Sequence, residues 1–296
     1  MIRIVLIPWG NKAEKIKEMT PKRIEVFPSS SCKTLEGNRN KALSKLRESD
    51  KPDYVVFLDD DTFLNPSWID SMKAESALKK GYNAFASVVF EEGWGKMQGQ
   101  GHVFVNGAPR DRGFNGNNLK RKVLCPCGNS ALIRWEALEK IWEEGDEVWD
   151  PLFKQDQTCF DFGLKLVLTG SKTIIVPGAV AQHRGYLCKD ENWYKANSYK
   201  KVQSQLVSRY LLYKKFLPKD LEDAAVNAVN QRIRKWIDKG YPGFEKWIKG
   251  NIVRQIVEEA RNCAEEKALN IKCTKWKNLM SSRKDAWNFL DLERKC

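Results

Sequence analysis

Residues 54–61, with the sequence YVVFLDDD, form an apolar run that ends in three adjacent carboxylates. Five consecutive apolar residues predict a buried strand covered on both faces, as in a parallel sheet. Carboxylates that follow such a strand lie where open α/β sheets bind ligands. Asp59, Asp60 and Asp61 repel one another unless a cation or donors neutralise them, so they predict a site for Mg²⁺ or Mn²⁺. An acidic turn that caps the following helix is the alternative interpretation.

Strands and helices alternate along residues 1–188. Strands are expected at residues 2–7, 23–27, 54–58, 84–90 and 173–176, and helices at 41–48, 65–80, 132–142 and 157–168. Residues 91–120 are rich in glycine and asparagine and predict a long loop or hairpin region. The alternation predicts an α/β domain with a Rossmann-like, mainly parallel sheet flanked by helices.

Residues 189–296 differ from the first part in period and charge. Their apolar residues recur at helical spacing, and they carry 24 basic and 14 acidic residues, while the whole chain has a net charge of +13. A basic α-helical C-terminal region is predicted. It fits a lid over a site, contact with an anionic membrane that bears a lipid-linked acceptor, or a solvated helical bundle. Nucleic acid is disfavoured because no recognised binding motif is present.

Composition excludes several protein classes. A hydrophobic fraction of 42% and an aromatic fraction of 11% exclude a mainly disordered chain. No apolar run approaches the roughly 20 residues of a membrane span. The eight cysteines are scattered and contain no Cys-x-x-Cys pair, which favours buried thiols over a zinc site. The expected location is cytoplasmic, with peripheral contact at the inner face of the membrane left open.

The pair Arg39-Asn40, followed about twenty residues later by strand 54–58 and the acidic triplet, resembles family-two glycosyltransferases of the nucleotide-diphospho-sugar transferase (GT-A) fold. Further segments match that family in order over roughly residues 2–185: 128–134, 149–153, 161–165 and 170–183. The resemblance implies a metal-dependent, inverting glycosyltransferase of the hexosyltransferase type. Its donor would be a nucleotide-diphosphate sugar, and its acceptor a saccharide, a lipid-linked molecule or a protein.

The same resemblance implies roles for the acidic triplet and its partners. Asp59 would face the ribose or base and also ligate a divalent cation, Mn²⁺ or Mg²⁺. Asp61 would ligate the cation, and Asp60 would support either role. His183 falls where the family often has a histidine after its closing strand, so it is the expected additional ligand, because a neutral imidazole is a good donor to such ions.

Nucleotide contacts are expected from the ends of the first strand and the first helix. Pro8, Trp9 and Asn11 end the first strand, where the family binds its nucleotide, and Trp9 would stack on the base. Arg39 would pair with a phosphate, since its planar guanidinium suits that contact. Each of these residues is equally consistent with a turn or surface position. Trp94, Trp149 and Trp193 are candidate sugar-stacking platforms, and His102 has no assigned role.

An inverting transfer also needs a general base. Asp156 is favoured by its spacing after Trp149, and Asp161 is the second candidate. An alignment without gaps would place Cys159 at the base position, and a thiol is poorly suited to that role. We therefore infer a short insertion between Asp156 and Asp161.

The chain departs from the family in its second strand. Residues 27–31 read FPSSS and lack the acid that contacts the nucleobase in the family, so the base specificity is left open. Two other function classes stay open. A nucleotidyltransferase would need a glycine-rich basic loop after the first strand, and residues 8–12 are a faint version of it. A non-catalytic binding protein on a degenerate transferase fold would tolerate the missing acid.

Overall fold

The computed structural model divides the chain into two compact units. The first contains Met1–Val103 and Arg110–Gly185, and the second contains Phe104–Pro109 and Tyr186–Cys296. The boundary predicted from composition lay after residue 188. The residues that the structure describes are 3–8, 25–26, 34–59, 61–91, 97–105, 108–111, 122–153, 157–184, 191–269, 271 and 274–283.

The strands lie in the first part of the chain and range from two to eleven residues in length. They are β1 (Ile4–Pro8), β2 (Glu25–Val26), β3 (Tyr54–Leu58), β4 (Thr62–Leu64), β5 (Ala84–Glu91), β6 (Met97–Gly99), β7 (His102–Val105), β8 (Ala108–Asp111), β9 (Lys122–Val123), β10 (Ser130–Arg134) and β11 (Thr173–His183). The helices of the first unit are α1 (Leu35–Glu48), α2 (Trp68–Leu78), α3 (Trp135–Glu143) and α4 (Thr158–Leu168).

The main sheet has the strand order β2-β1-β3-β10-β5-β11-β4, with β6 paired to β5 and β9 paired to β11. Strands β2, β1 and β3 are parallel to one another, and so are β5 and β11. Strand β10 is antiparallel to both β3 and β5, and β4 is antiparallel to β11. The predicted α/β class with flanking helices is confirmed, and the sheet itself is mixed, with parallel and antiparallel ladders.

All five residues of strand β3 are buried, which shows that this strand lies in the middle of the core. Side chains alternate between the two faces of a strand. Val55 and Phe57 pack into a cluster with apolar residues of α1, α3 and α4. Val56 and Leu58 pack on the other face with residues of α2. A strand that is apolar throughout is therefore what this position requires.

The helix expected at 41–48 begins earlier, at Leu35. Three other differences from the sequence prediction follow from sheet pairing. The helix expected from Leu132 begins only at Trp135, because β10 inserts between β3 and β5. The strand expected to stop before Pro177 continues to His183. Its ladder with β5 is interrupted between Ile175 and Val180, so the proline falls where no ladder bond is needed. Strand β4, in the region expected to lead into a helix, was not predicted.

The second unit is helical, as predicted. Its helices are α5 (Glu191–Phe216), α6 (Lys219–Lys239), α7 (Asn251–Ala268) and α8 (Thr274–Ser282). Their inner faces bury apolar side chains such as Leu206, Val229, Ile256 and Trp276. Within the described residues, no helix combines the length and the apolar character that a membrane crossing requires.

Replacement of Gly163 on α4 by alanine is predicted to destabilise the protein. A Cβ atom there would lie 2.5 Å from the Cβ of Cys125, which cannot rotate away. Overpacking costs about 1–3 kcal/mol and alanine gains about 1 kcal/mol in helix propensity, so Gly163→Ala should lower the free energy of unfolding by up to about 2 kcal/mol. Urea denaturation measures it. Gly178→Ala is the control, because its nearest neighbour is the hydroxyl oxygen of Ser71 at 2.9 Å. An equal loss in both variants would contradict the packing argument.

Candidate functional site

The turn between β3 and β4 sets the position of the acidic residues. The backbone N–H of Asp59 donates to the carbonyl of Asn129 at 3.3 Å, and the N–H of Thr62 donates to the carbonyl of Asp59 at 3.1 Å. Strand β4 then pairs with β11, which brings His183 opposite Thr62. The N–H of Arg184 donates to the carbonyl of Asp61 at 3.0 Å. Pairing of β4 with β11 therefore brings residues 61 and 183 together.

Asp59, Asp61 and His183 form a cluster at this edge of the sheet. One candidate ligand atom from each side chain lies within 4.8 Å of the others. The Nε2 of His183 is 3.0 Å from Oδ1 of Asp61 and 4.0 Å from Oδ2 of Asp59. All three side chains are half-buried. The sequence had predicted that these residues share a site, and the structure brings them together.

The cluster fits a divalent cation in donor type and spacing. In octahedral coordination with ligands at about 2.1 Å, neighbouring ligand atoms are about 3.0 Å apart and opposite ones about 4.2 Å apart. The distances from His183 to Asp61 and Asp59 are close to these values. Carboxylate and imidazole ligands suit Mg²⁺ and Mn²⁺, with imidazole favouring the transition metal. Three protein ligands leave other coordination positions open to oxygen ligands.

Arg39 supports the cluster from inside the protein. Its side chain is only 1% exposed, and its Nη2 donates to Oδ1 of Asp59 at 3.0 Å and to the carbonyl of Gly128 at 2.6 Å. The guanidinium also lies over the ring of Trp149, with Cζ 4.5 Å from the centroid. Burial lowers the pKa of Arg39, against the attraction of Asp59, but arginine stays protonated in proteins. Arg39 therefore orients Asp59, and its predicted phosphate contact stays a prediction.

Asn40 and Gly128 complete this support, and sequence reasoning gave neither a structural role. The Nδ2 of Asn40 donates to the carbonyl of Trp149 at 2.6 Å, and its Oδ1 accepts from the Trp149 N–H at 3.1 Å. A Cβ atom on Gly128 would lie 3.1 Å from Nη1 of Arg39 and 3.0 Å from Sγ of Cys159. The absence of a side chain at residue 128 therefore leaves room for the guanidinium.

Asp161 lies inside the protein, away from solvent. Its side chain is fully buried, and its Oδ2 is 2.7 Å from Nζ of Lys165, which is also fully buried. The same ammonium donates to the carbonyl of Glu147 at 2.7 Å and lies 3.3 Å from Oδ2 of Asp146. An acid held in this way fits a structural ion pair. Its role as a general base stays a prediction, and its burial disfavours it.

Several predicted site residues lie outside the described part of the chain. These are Trp9, Asn11, Asp60, Trp94 and Asp156. The backbone of Pro8 is described, and Pro8 is in register with Leu58 on the neighbouring strand. The end of β1, where nucleotide contacts were predicted, therefore lies beside the acidic end of β3.

Comparison with known proteins shows which family the first part of the sequence resembles. Residues 11–142 match the model of the family described as Glycosyl transferase family 2. The resemblance predicted from the motifs is therefore confirmed over these residues. Among curated proteins, none matches the chain.

Several solved structures are similar to the chain at low identity. GalNAc-T7 with UDP, GalNAc and Mn²⁺ has a TM-score of 0.50 and 10% identity, over 97% of this chain and 57% of that one. A197 from STIV has a TM-score of 0.44 and 20% identity, over 62% and 85%. A mannosyltransferase from Pyrobaculum calidifontis, in complex with GDP-Man and Mn²⁺, has a TM-score of 0.44 and 13% identity, over 90% and 86%. At 10% identity, the similarity to GalNAc-T7 bears on the fold alone.

Arg39→Met is predicted to destabilise the first unit by about 2–3 kcal/mol. The variant leaves the Asp59 carboxylate and the Gly128 carbonyl without this donor, and the cost lies below that of a fully buried pair because Asp59 stays 21% exposed. Urea denaturation measures the loss. Arg47→Met on the same helix is the control, since Arg47 is exposed and contacts only the Trp142 ring among the interactions described; it should cost less than about 1 kcal/mol. An equal loss of unfolding free energy in the two variants would show that the buried contacts of Arg39 make no specific contribution to stability.

Proposed function

We propose that this chain, which carries the family-two glycosyltransferase pattern over residues 11–142, is a metal-dependent, inverting glycosyltransferase that uses a nucleotide-diphosphate sugar. The cluster of Asp59, Asp61 and His183 at the end of β3 is the observation that carries the proposal. When bound, a divalent cation would supply Lewis-acid stabilisation of the departing diphosphate. A structure of the same fold, GalNAc-T7, contains UDP and Mn²⁺, which supports this type of donor and ion.

The residues near the end of β3 have different proposed roles. Asp59 and Asp61 would hold the cation with His183, and Arg39 keeps the Asp59 carboxylate in place. The nucleotide would lie against the end of β1, next to the acidic end of β3. Residues 9 and 11, for which stacking and polar contacts are proposed, follow that strand directly. The nucleobase is left open, because residues 27–31 carry no acid.

For the transfer itself, we propose Asp156 as the general base. It would take the proton of an acceptor hydroxyl while the oxygen attacks the anomeric carbon and the bond to the diphosphate breaks. Attack from the side opposite the leaving group inverts the configuration at that carbon. Asp161 is the weaker candidate, because its carboxylate is buried against Lys165.

The acceptor belongs to one of three classes: a saccharide, a lipid-linked molecule or a protein. The hexosyltransferase type, the cytoplasmic location and contact of the basic helices with an anionic membrane are part of the same proposal. A non-catalytic protein on this fold would bind a donor without turning it over, so donor hydrolysis separates the two functions. The nucleotidyltransferase alternative rests on residues 8–12, of which the structure describes only the backbone of Pro8.

Asp61→Ala is predicted to abolish the Mn²⁺-dependent part of nucleoside diphosphate binding, because it removes a ligand next to His183. Calorimetry with UDP and GDP, with and without Mn²⁺, measures the difference. Asp70→Ala is the matched control, since Asp70 is an exposed acid in the first turn of α2. Unchanged Mn²⁺-dependent binding in Asp61→Ala would contradict the assignment of Asp61 as a metal ligand.

Asp156→Asn and Asp161→Asn are predicted to affect different properties, turnover in the first and stability in the second. Asp156→Asn should keep the fold and donor binding, while turnover falls by about 10²–10⁴-fold, as expected for a lost general base. Among the described residues, Asp161→Asn leaves the buried ammonium of Lys165 with only the partly exposed Asp146 as an anion, so it should lower the free energy of unfolding by about 2–4 kcal/mol. Donor hydrolysis and urea denaturation are measured for both. Loss of turnover in a fully stable Asp161→Asn, with active Asp156→Asn, would exchange the two roles.

A further inference from the structure

Gln98 contacts the candidate metal ligand His183 from a strand two positions away in the sheet. The Oε1 of Gln98 lies 2.8 Å from Nδ1 of His183. Val89 and Phe90 of β5 pair with β6 and also with β11. Because a strand has only two edges, β6 and β11 lie on opposite sides of β5. Two strand spacings amount to about 9.6 Å, so only long side chains can meet across β5.

A β-bulge gives Gln98 its position. Met97 is paired with Phe90 and Gly99 with Val89, so the ladder between β5 and β6 skips Gln98. The extra residue shifts the alternation of side chains by one position at this point of β6. Bulges of this type re-aim a side chain and are common beside active sites. The bulge, rather than regular strand pairing, therefore sets the position of the Gln98 side chain.

The hydrogen bond determines which nitrogen of His183 can bind a cation. The amide oxygen of Gln98 faces Nδ1, and because an amide oxygen only accepts, this contact favours the tautomer with its hydrogen on Nδ1. In the neutral imidazole, the lone pair is then on Nε2. Nε2 is the atom that lies 3.0 Å from Asp61 and 4.0 Å from Asp59. A partner on the second nitrogen also fixes the ring orientation and raises the basicity of the ligand.

We propose that Gln98 is a positioning residue that holds His183 with Nε2 directed at the cation held by Asp59 and Asp61. The inference rests on the proposed metal-dependent function and adds a residue to it. Glutamine has the length that the span across β5 needs, while asparagine is shorter by one methylene, about 1.5 Å. That difference would lengthen a 2.8 Å contact beyond hydrogen-bonding distance.

Mn²⁺ alone is the probe, and the wild type is compared with Gln98→Leu, Gln98→Asn and Gln98→Glu. Leucine and asparagine should weaken Mn²⁺ binding by about 10–100-fold in calorimetry, which is the usual effect of losing such a partner. Glutamate also accepts from Nδ1–H and should restore the affinity to within about 3-fold of wild type. Gln182→Leu, the neighbour of His183 on the opposite face of β11, is the control and should bind like wild type. Thermal melts without metal verify that each variant is folded.

Pulsed electron paramagnetic resonance of bound Mn²⁺ gives a second readout that a merely structural role would leave unchanged. The wild type should show coupling to a directly bound imidazole nitrogen, and Gln98→Leu and Gln98→Asn should show it weakened or lost. Wild-type affinity and nitrogen coupling in both variants would overturn the role of Gln98. Mn²⁺ binding without nitrogen coupling in the wild type would also overturn it, while leaving the carboxylate site intact. If the wild type binds no Mn²⁺, the proposed function itself is wrong.

Discussion

The guanidinium of Arg39 joins segments that are far apart in the chain, and the geometry of the acidic edge depends on it. One nitrogen contacts Asp59 after β3 and the carbonyl of Gly128 before β10, while the plane of the group lies over Trp149. A charge with almost no exposure to water must be compensated from inside the protein. The carboxylate, the carbonyl and the aromatic ring provide that compensation, so their mutual positions are coupled.

This coupling has a consequence for metal binding. Oδ1 of Asp59 accepts from Arg39, while Oδ2 is the oxygen nearer to His183. One carboxylate thus uses one oxygen for the interior and keeps the other for the cluster. Asn40 adds to the stiffness, because it binds both the N–H and the carbonyl of Trp149, on which Arg39 stacks. A cation held by Asp59 would therefore meet a ligand that is already oriented, which lowers the entropic cost of binding.

The sequence predicted what is encoded locally and missed what depends on strand pairing. Strand β3 and its acidic end could be recognised from one run of residues, since an apolar strand and adjacent carboxylates are local signals. The contact between Asp61 and His183 could be expected only from the family resemblance, because β4, which brings them together, has three residues and no clear pattern. Gln98 could not be found, since its bulge is a property of the ladder between β5 and β6. Arg39 was recognised, but its burial against Trp149 was not.

The start of α4 bears on the choice between the two candidates for the proposed general base. Gln157, directly before the helix, has a left-handed backbone with φ 65° and ψ 8°, which costs a non-glycine residue about 1–2 kcal/mol. Such strained positions cluster at functional sites. Inside the helix, Asp161 is already held by Lys165. A proton acceptor that must reach a substrate hydroxyl is therefore better sought before the strained residue than within α4. Asp156 immediately precedes Gln157 in the sequence, and a left-handed residue at the start of α4 is compatible with the insertion inferred from the sequence.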